Sequence, residues 1–112
     1  YEACEIAQAL FLRRYGRTLL ARAGSPQTVL RNLTKIAALI PTHTRRSEES
    51  QAMQQLSTPL PFAYVAARAA ALTCDDLAFE PSAGTGMLAV HAEAFGARVT
   101  LNELADTRAT LL

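Results

Sequence analysis

Residues 77–103 read LAFEPSAGTGMLAVHAEAFGARVTLNE, and most of the chain's architecture can be predicted from this stretch. Residues 77–79 are a short apolar run, typical of a buried parallel strand, and Glu80 follows them. Residues 98–102 are predicted to form a second strand, and Glu103 follows it. Because parallel strands present their carboxyl ends at one edge of a sheet, we expect both glutamates at the same edge.

A helix separates the two predicted strands. Residues 81–86 form a glycine-containing loop, and residues 87–95 have a helical composition that Gly96 brings to an end. A further helix begins near Ala105. The order strand, loop, helix, strand is a right-handed β-α-β unit, which predicts an α/β fold.

Composition excludes several classes of protein. The chain has 112 residues, of which 50% are hydrophobic and 19% charged, as in one globular domain. No apolar run reaches the roughly 18 residues that a membrane span needs. Cys4 and Cys74 have neither metal-ligand nor disulfide spacing, which predicts a cytoplasmic protein and excludes a zinc finger or disulfide scaffold. The sequence begins with Tyr1 instead of methionine, and it ends at Leu112 within a helical pattern. We therefore expect it to be part of a longer protein.

The front of the chain is predicted to be helical. Apolar residues at helical spacing indicate helices at 3–22 and 27–40, and Ser25-Pro26 is typical of an N-cap followed by a first helical residue. A polar, arginine-containing segment follows. We therefore expect residues 1–50 to be an all-helical N-terminal extension that ends in a basic linker.

Charge is distributed unevenly along the chain. Residues 1–46 contain eight basic residues and two glutamates, whereas residues 47–112 contain three basic residues and eight acidic ones. A basic front half is typical of a protein that binds a polyanion, although a solvated helix face is the alternative interpretation. The predicted nucleic-acid contacts are Arg13, Arg14, Arg17, Arg45 and Arg46.

The loop and the strand ends indicate a nucleoside-containing ligand. Gly84 and Gly86 allow the backbone to approach a ligand closely, and Glu103 lies where a carboxylate accepts both ribose hydroxyls. Gly84, Gly86 and Ala89 also match the dinucleotide pattern G-x-G-x-x-G/A, so an NAD-dependent oxidoreductase stays open. Glu80, however, would repel a pyrophosphate and attract the ammonium and sulfonium groups of S-adenosylmethionine. A P-loop is excluded because no G-K-[S/T] follows the glycines.

These motifs resemble those of S-adenosylmethionine-dependent methyltransferases, in particular the adenine-N6 DNA methyltransferases. EPSAGTG at residues 80–86 is similar to their (D/E)-P-x-x-G-x-G loop, and Glu103 follows at the motif II position. QQLSTP at residues 54–59 resembles their (F/Y)-x-T-P motif, with Leu56 where an aromatic residue is common. The resemblance implies that residues 51–112 are the cofactor-binding start of a Rossmann-like methyltransferase domain.

The same resemblance implies roles for individual residues. Thr58 and Pro59 would lie near the methionine carboxylate of the cofactor, and Glu80 near its amino group. Glu103 would bind the ribose, and Leu104 would pack on the adenine. The complete implied set of cofactor-binding residues is Thr58, Pro59, Glu80, Pro81, Ala83, Gly84, Gly86, Glu103 and Leu104.

The catalytic motif of that family, (N/D/S)-P-P-(Y/F), does not occur in this sequence. We therefore assign no catalytic residue and expect this stretch alone not to transfer a methyl group. The motifs also resemble the methylase-like region of bacterial strawberry notch-type proteins, which precedes a helicase. Two functions follow: the cofactor-binding part of a DNA methyltransferase, or an inactive methyltransferase-fold module that docks DNA within a larger helicase protein.

Three residues have simpler interpretations. Thr58 could cap the helix that begins near Pro59, alone or in addition to a cofactor role. His91 falls on the helix after the loop and is expected to be a surface or packing residue. Cys74 is expected to be unreactive, since it has no histidine or basic neighbour that would activate it.

Overall fold

The computed structural model describes residues 2–40, 48–53 and 55–112. Over these ranges the chain forms six helices and two strands. In chain order they are α1 (Glu2–Arg22), α2 (Pro26–Ala37), α3 (Glu48–Ala52), α4 (Leu60–Ala69), β1 (Leu77–Glu80), α5 (Met87–Phe95), β2 (Arg98–Leu101) and α6 (Asp106–Ala109). None of these helices is both long enough and apolar enough to cross a membrane.

The two strands form a parallel sheet. Leu77 pairs with Arg98 and Glu80 with Leu101, and α5 connects the strands, as predicted. The prediction of a Rossmann-like α/β fold is nevertheless wrong. The described part of the chain is mostly helical, and its sheet has only two strands of four residues each. The prediction failed because it extended one β-α-β unit to a whole sheet, whereas most of the helices pack on one another.

One face of this sheet is exposed, against the prediction that the first strand is buried. The side chains of Leu77 and Phe79 are 67% and 65% exposed. Ala78 and Val99 point to the opposite face, where α4 and α5 lie. The helices therefore cover the sheet on one side, and the alternation along each strand follows from this.

The hydrophobic core lies between four helices and includes residues from both halves of the sequence. Leu12 comes from α1, Leu33 from α2, Leu60 and Tyr64 from α4, and Val90 from α5; none is more than 7% exposed. Because α1 and α2 supply part of this core, the N-terminal helices pack directly on the β-α-β unit.

Two local features position α1 and α2. The Thr28 amide donates a hydrogen bond to the Ser25 side chain over 3.2 Å, which confirms Ser25 as the N-cap of α2. Gly16 allows α1 to approach α5 closely, since a Cβ there would lie only 3.3 Å from that of Ala94. A larger residue at this position would push the two helices apart.

His91 is part of the helical core. It is 3% exposed, its ring lies 6.3 Å from that of Tyr64, and its Nδ1 lies 2.9 Å from the Met87 carbonyl oxygen. Because a carbonyl only accepts, Nδ1 carries the hydrogen, and the buried Nε2 has no partner among the described residues. Burial lowers the pKa of His91, and the bond to Met87 offsets part of that effect.

We expect acid to destabilise the protein through His91. Its pKa in the folded state is below the ordinary value of 6.5, so the unfolded chain binds more protons and stability falls as the pH drops below 6.5. The slope should reach at most about 1.4 kcal/mol per pH unit. Urea unfolding of the wild type and of His91→Leu between about pH 7.5 and 5 measures it. A wild-type slope that persists in His91→Leu would contradict this origin.

Candidate cofactor site

The glycine loop between β1 and α5 contains two residues in the left-handed conformation. Gly84 has φ +58° and Gly86 has φ +81°, values that residues with a Cβ atom rarely adopt. Gly86 is the N-cap of α5, and its amide donates to the Ala83 carbonyl over 2.8 Å. A Cβ on Gly86 would also lie 3.2 Å from Leu112. Both glycines are therefore required by the loop's shape.

Glu103 lies against this loop, as predicted from the strand ends. Its Oε2 accepts the Gly84 amide over 2.7 Å, and its Oε1 accepts the Ala105 amide over 2.9 Å. Burial raises the pKa of Glu103. The amides of Ala105 and Gly84 and the charge of Arg108 lower it by more than burial raises it, so the pKa lies below its ordinary value. The carboxylate is thus ionised at neutral pH beside the loop, and further lone pairs on its oxygens can accept hydrogen bonds.

Asn102 also ties the loop to the end of β2. Its carbonyl accepts the Ala83 amide over 2.9 Å, and its side-chain amide donates to the Pro81 carbonyl over 3.0 Å. These bonds hold Pro81 and Ala83 at the carboxyl edge of the sheet, as Glu103 holds Gly84. The loop is therefore preorganised by its own polypeptide.

Glu80 places a second carboxylate at the same edge. It is the last residue of β1, is partly buried, and accepts the Ser82 amide over 3.2 Å. No ion pair to Glu80 is formed within the described ranges. Beside it lies an apolar groove of about 290 Å³ between α4, α5 and β1, lined mainly by alanines.

Two of the other predicted cofactor residues, Thr58 and Pro59, lie outside the loop's hydrogen-bond network. Pro59, not Thr58, is the N-cap of α4, so the capping role of Thr58 is wrong. Within residues 55–112, neither Thr58 nor Pro59 forms a hydrogen bond to the glycine loop. Leu104 is 83% exposed next to Glu103, so its side chain is accessible to a ligand.

Arg108 was missed in the sequence and lies at the centre of the site. It is only 4% exposed, its Nε donates to Glu2 of α1 over 3.0 Å, and its Nη1 lies 3.7 Å from where a Cβ on Gly84 would be. Its charge also acts on Glu103. In the sequence, Arg108 is distinguished only by its position five residues after Glu103, and no known spacing for such a loop identifies an arginine there as a site residue.

Glu5 of α1 is the second residue that sequence reasoning missed. It is 6% exposed, and its Oε2 accepts the Thr85 hydroxyl over 3.3 Å. Its Oε1 is buried without a hydrogen-bond partner among the described residues. Helix α1 therefore reaches the glycine loop directly, although the sequence assigns it to a separate extension.

The arginines of α1 are not equally available to a nucleic acid. Arg13 forms an ion pair with Glu93 of α5 over 3.4 Å, and Arg17 donates to the Glu93 carbonyl over 3.3 Å. Arg14 lies over the ring of Tyr15, with 5.4 Å between its guanidinium carbon and the ring centroid. The other two predicted contacts, Arg45 and Arg46, lie outside the described residues.

Comparison of the chain with protein-family models, curated proteins and solved structures found no match. The interpretation of the site depends on its own residues. These are two carboxylates at the ends of parallel strands, a loop with two left-handed glycines, and an accessible leucine next to one carboxylate. Hydrogen-bond acceptors for ribose hydroxyls and for an ammonium group are both present, so the residues fit a nucleoside that carries positive charge.

Proposed function

We propose that this chain binds S-adenosylmethionine at the glycine loop, as the cofactor-binding part of an adenine-N6-type nucleic-acid methyltransferase. The observation that supports it best is the position of Glu103, which lies 2.7 Å from the Gly84 amide at the carboxyl edge of two parallel strands. A carboxylate in that place accepts ribose hydroxyls, and Gly84 leaves the approach free of a side chain.

The remaining residues suit the two ends of such a ligand. Glu80 would attract the ammonium group of the methionine part, with Pro81 and Ala83 beside it and Thr58 and Pro59 near the carboxylate. Leu104 would pack on the adenine. Bound S-adenosylmethionine supplies an electrophilic methyl group, while the residues of this chain hold and orient it.

An inactive DNA-docking module beside a helicase domain is the second candidate function. The exposed basic side chains of α1 and α2 favour it, because they can contact phosphates without any cofactor. We place either form of the protein in the cytoplasm, since both Cys4 and Cys74 are free thiols.

Calorimetric titration tests the cofactor. We expect S-adenosylhomocysteine to bind and NAD to give no heat. Glu80→Gln should weaken S-adenosylhomocysteine roughly fivefold, because it removes an attraction of about 1 kcal/mol. Asp75→Asn, which alters an exposed carboxylate in the turn before β1, is the control and should leave the affinity unchanged.

Two results would contradict this assignment. Binding of NAD that becomes tighter in Glu80→Gln would favour a dinucleotide-dependent oxidoreductase, since the carboxylate would then be repelling a pyrophosphate. No heat from either ligand would favour the DNA-docking module.

A further inference from the structure

We propose that the groove between α1 and α2 binds single-stranded nucleic acid by stacking a base on Tyr15. The groove is open and has a volume of about 450 Å³. Phe11, Tyr15 and Arg22 line it from α1, and Thr28 and Asn32 line it from α2. It is separate from the glycine loop, which joins β1 to α5. The inference deepens the proposed function by giving its nucleic acid a place to bind.

The aromatic side of the groove suits base stacking. Phe11 and Tyr15 are one helical turn apart, their ring centroids lie 5.2 Å apart, and their side chains are 38% and 45% exposed. Aromatic rings left this accessible next to arginines are typical of surfaces on which successive bases stack. The Arg14 guanidinium over the Tyr15 ring adds a charge that a neighbouring phosphate can contact.

The charge around the groove complements a phosphate backbone. Four exposed basic residues lie on the two helices: Arg14 and Arg22 on α1, and Arg31 and Lys35 on α2. None of them forms an ion pair within the described part of the chain. The only acidic residues of these two helices both have partners: Glu5 is buried against Thr85, and Glu2, whose side chain is 42% exposed, is paired with Arg108. The described lining of the groove contains Arg22 and no acidic residue, and the other three basic side chains lie on the same two helices.

A single strand fits this groove better than a duplex or an acidic peptide. The bases of a duplex are stacked on each other, so their faces are closed to Tyr15, whereas an unpaired base can insert between the helices. An acidic peptide would use the basic residues but would leave the two exposed rings unexplained. The Asn32 side chain can also donate and accept hydrogen bonds at a base edge.

Fluorescence anisotropy with a labelled single-stranded oligonucleotide of about 20 nucleotides tests the proposal. We expect Tyr15→Ala to weaken binding about tenfold or more and Tyr15→Phe to preserve it, because phenylalanine keeps the stacking face. Contacts to about three phosphates predict roughly 20-fold weaker binding when salt rises from about 50 to 200 mM. Arg98→Gln, an exposed arginine on the open face of the sheet, is the charge-matched control and should bind like the wild type.

Three results would overturn the proposal: equal affinity of Tyr15→Ala and wild type, equal or tighter binding of a duplex of the same length, and tighter binding of a glutamate-rich peptide. The last would identify an acidic protein as the partner. All titrations are done without cofactor. A negative oligonucleotide titration would therefore overturn the groove proposal and leave the cofactor proposal standing. A negative S-adenosylhomocysteine titration would do the reverse.

Discussion

Replacement of Leu33 by alanine is expected to lower the free energy of unfolding by about 2–5 kcal/mol. The Leu33 side chain is 1% exposed and packs in the core between α1, α2, α4 and α5. The substitution leaves a cavity among helices that do not easily collapse on it. Since domains of this size are stable by about 5–15 kcal/mol, the loss is a large part of the total.

Leu30→Ala is the matched control for this experiment. It makes the same chemical change on the same helix, but Leu30 is 36% exposed, and we expect a loss of less than about 1 kcal/mol. Urea unfolding followed by circular dichroism measures both variants, and hydrogen exchange shows which amides lose protection. In Leu33→Ala, the amides of α5 should exchange faster together with those of α2. Unchanged protection of α5 would show that residues 1–50 and 51–112 fold independently.

Glu103→Ala is expected to weaken binding of S-adenosylhomocysteine by roughly 10- to 150-fold. The estimate corresponds to hydrogen bonds to a charged group, which contribute about 1.5–3 kcal/mol. The variant also leaves the Gly84 and Ala105 amides without their acceptor and removes one of the two carboxylates near Arg108, the other being Glu2. Part of the lost affinity will therefore come from a less ordered loop.

Calorimetry on folded protein separates these two effects. Glu103→Gln keeps an acceptor oxygen for one of the two amides, and we expect it to stay folded while it loses about tenfold in affinity, since the charge is gone. Asp75→Asn again supplies the control. A folded Glu103→Ala protein that binds S-adenosylhomocysteine as tightly as the wild type would show that Glu103 is a structural brace of the loop and not a ligand residue.

Acidification should also remove the stabilisation that the ionised Glu103 gives to the folded protein. The pKa of Glu103 is below its ordinary value of 4.5, so its contribution to stability is fully present above that value and is lost as the pH falls through the lowered pKa. This range lies below the one in which His91 acts. The two effects can therefore be distinguished in a single series of unfolding curves.

Much of the local structure follows from local sequence patterns. The alternation of strand, glycine loop and helix predicted β1, α5 and β2 to within one or two residues, and Ser25-Pro26 predicted the start of α2. These features depend on neighbours a few positions apart: capping hydrogen bonds, helical periodicity and the left-handed conformation of glycine. The proximity of Glu103 to Gly84 followed in the same way from the geometry of parallel strands.

The arrangement of the helices could not be obtained from those patterns. Glu5 meets Thr85, 80 positions away, and Glu2 meets Arg108, 106 positions away. An apolar stripe on a helix shows that this face is buried, but it does not show which surface of the protein covers it. For this reason the sequence located most of the helices, the glycine loop and the two strands, although α3 begins at Glu48, inside the predicted linker. The fold class, the open face of the sheet and the contact of α1 with the glycine loop followed only from long-range packing.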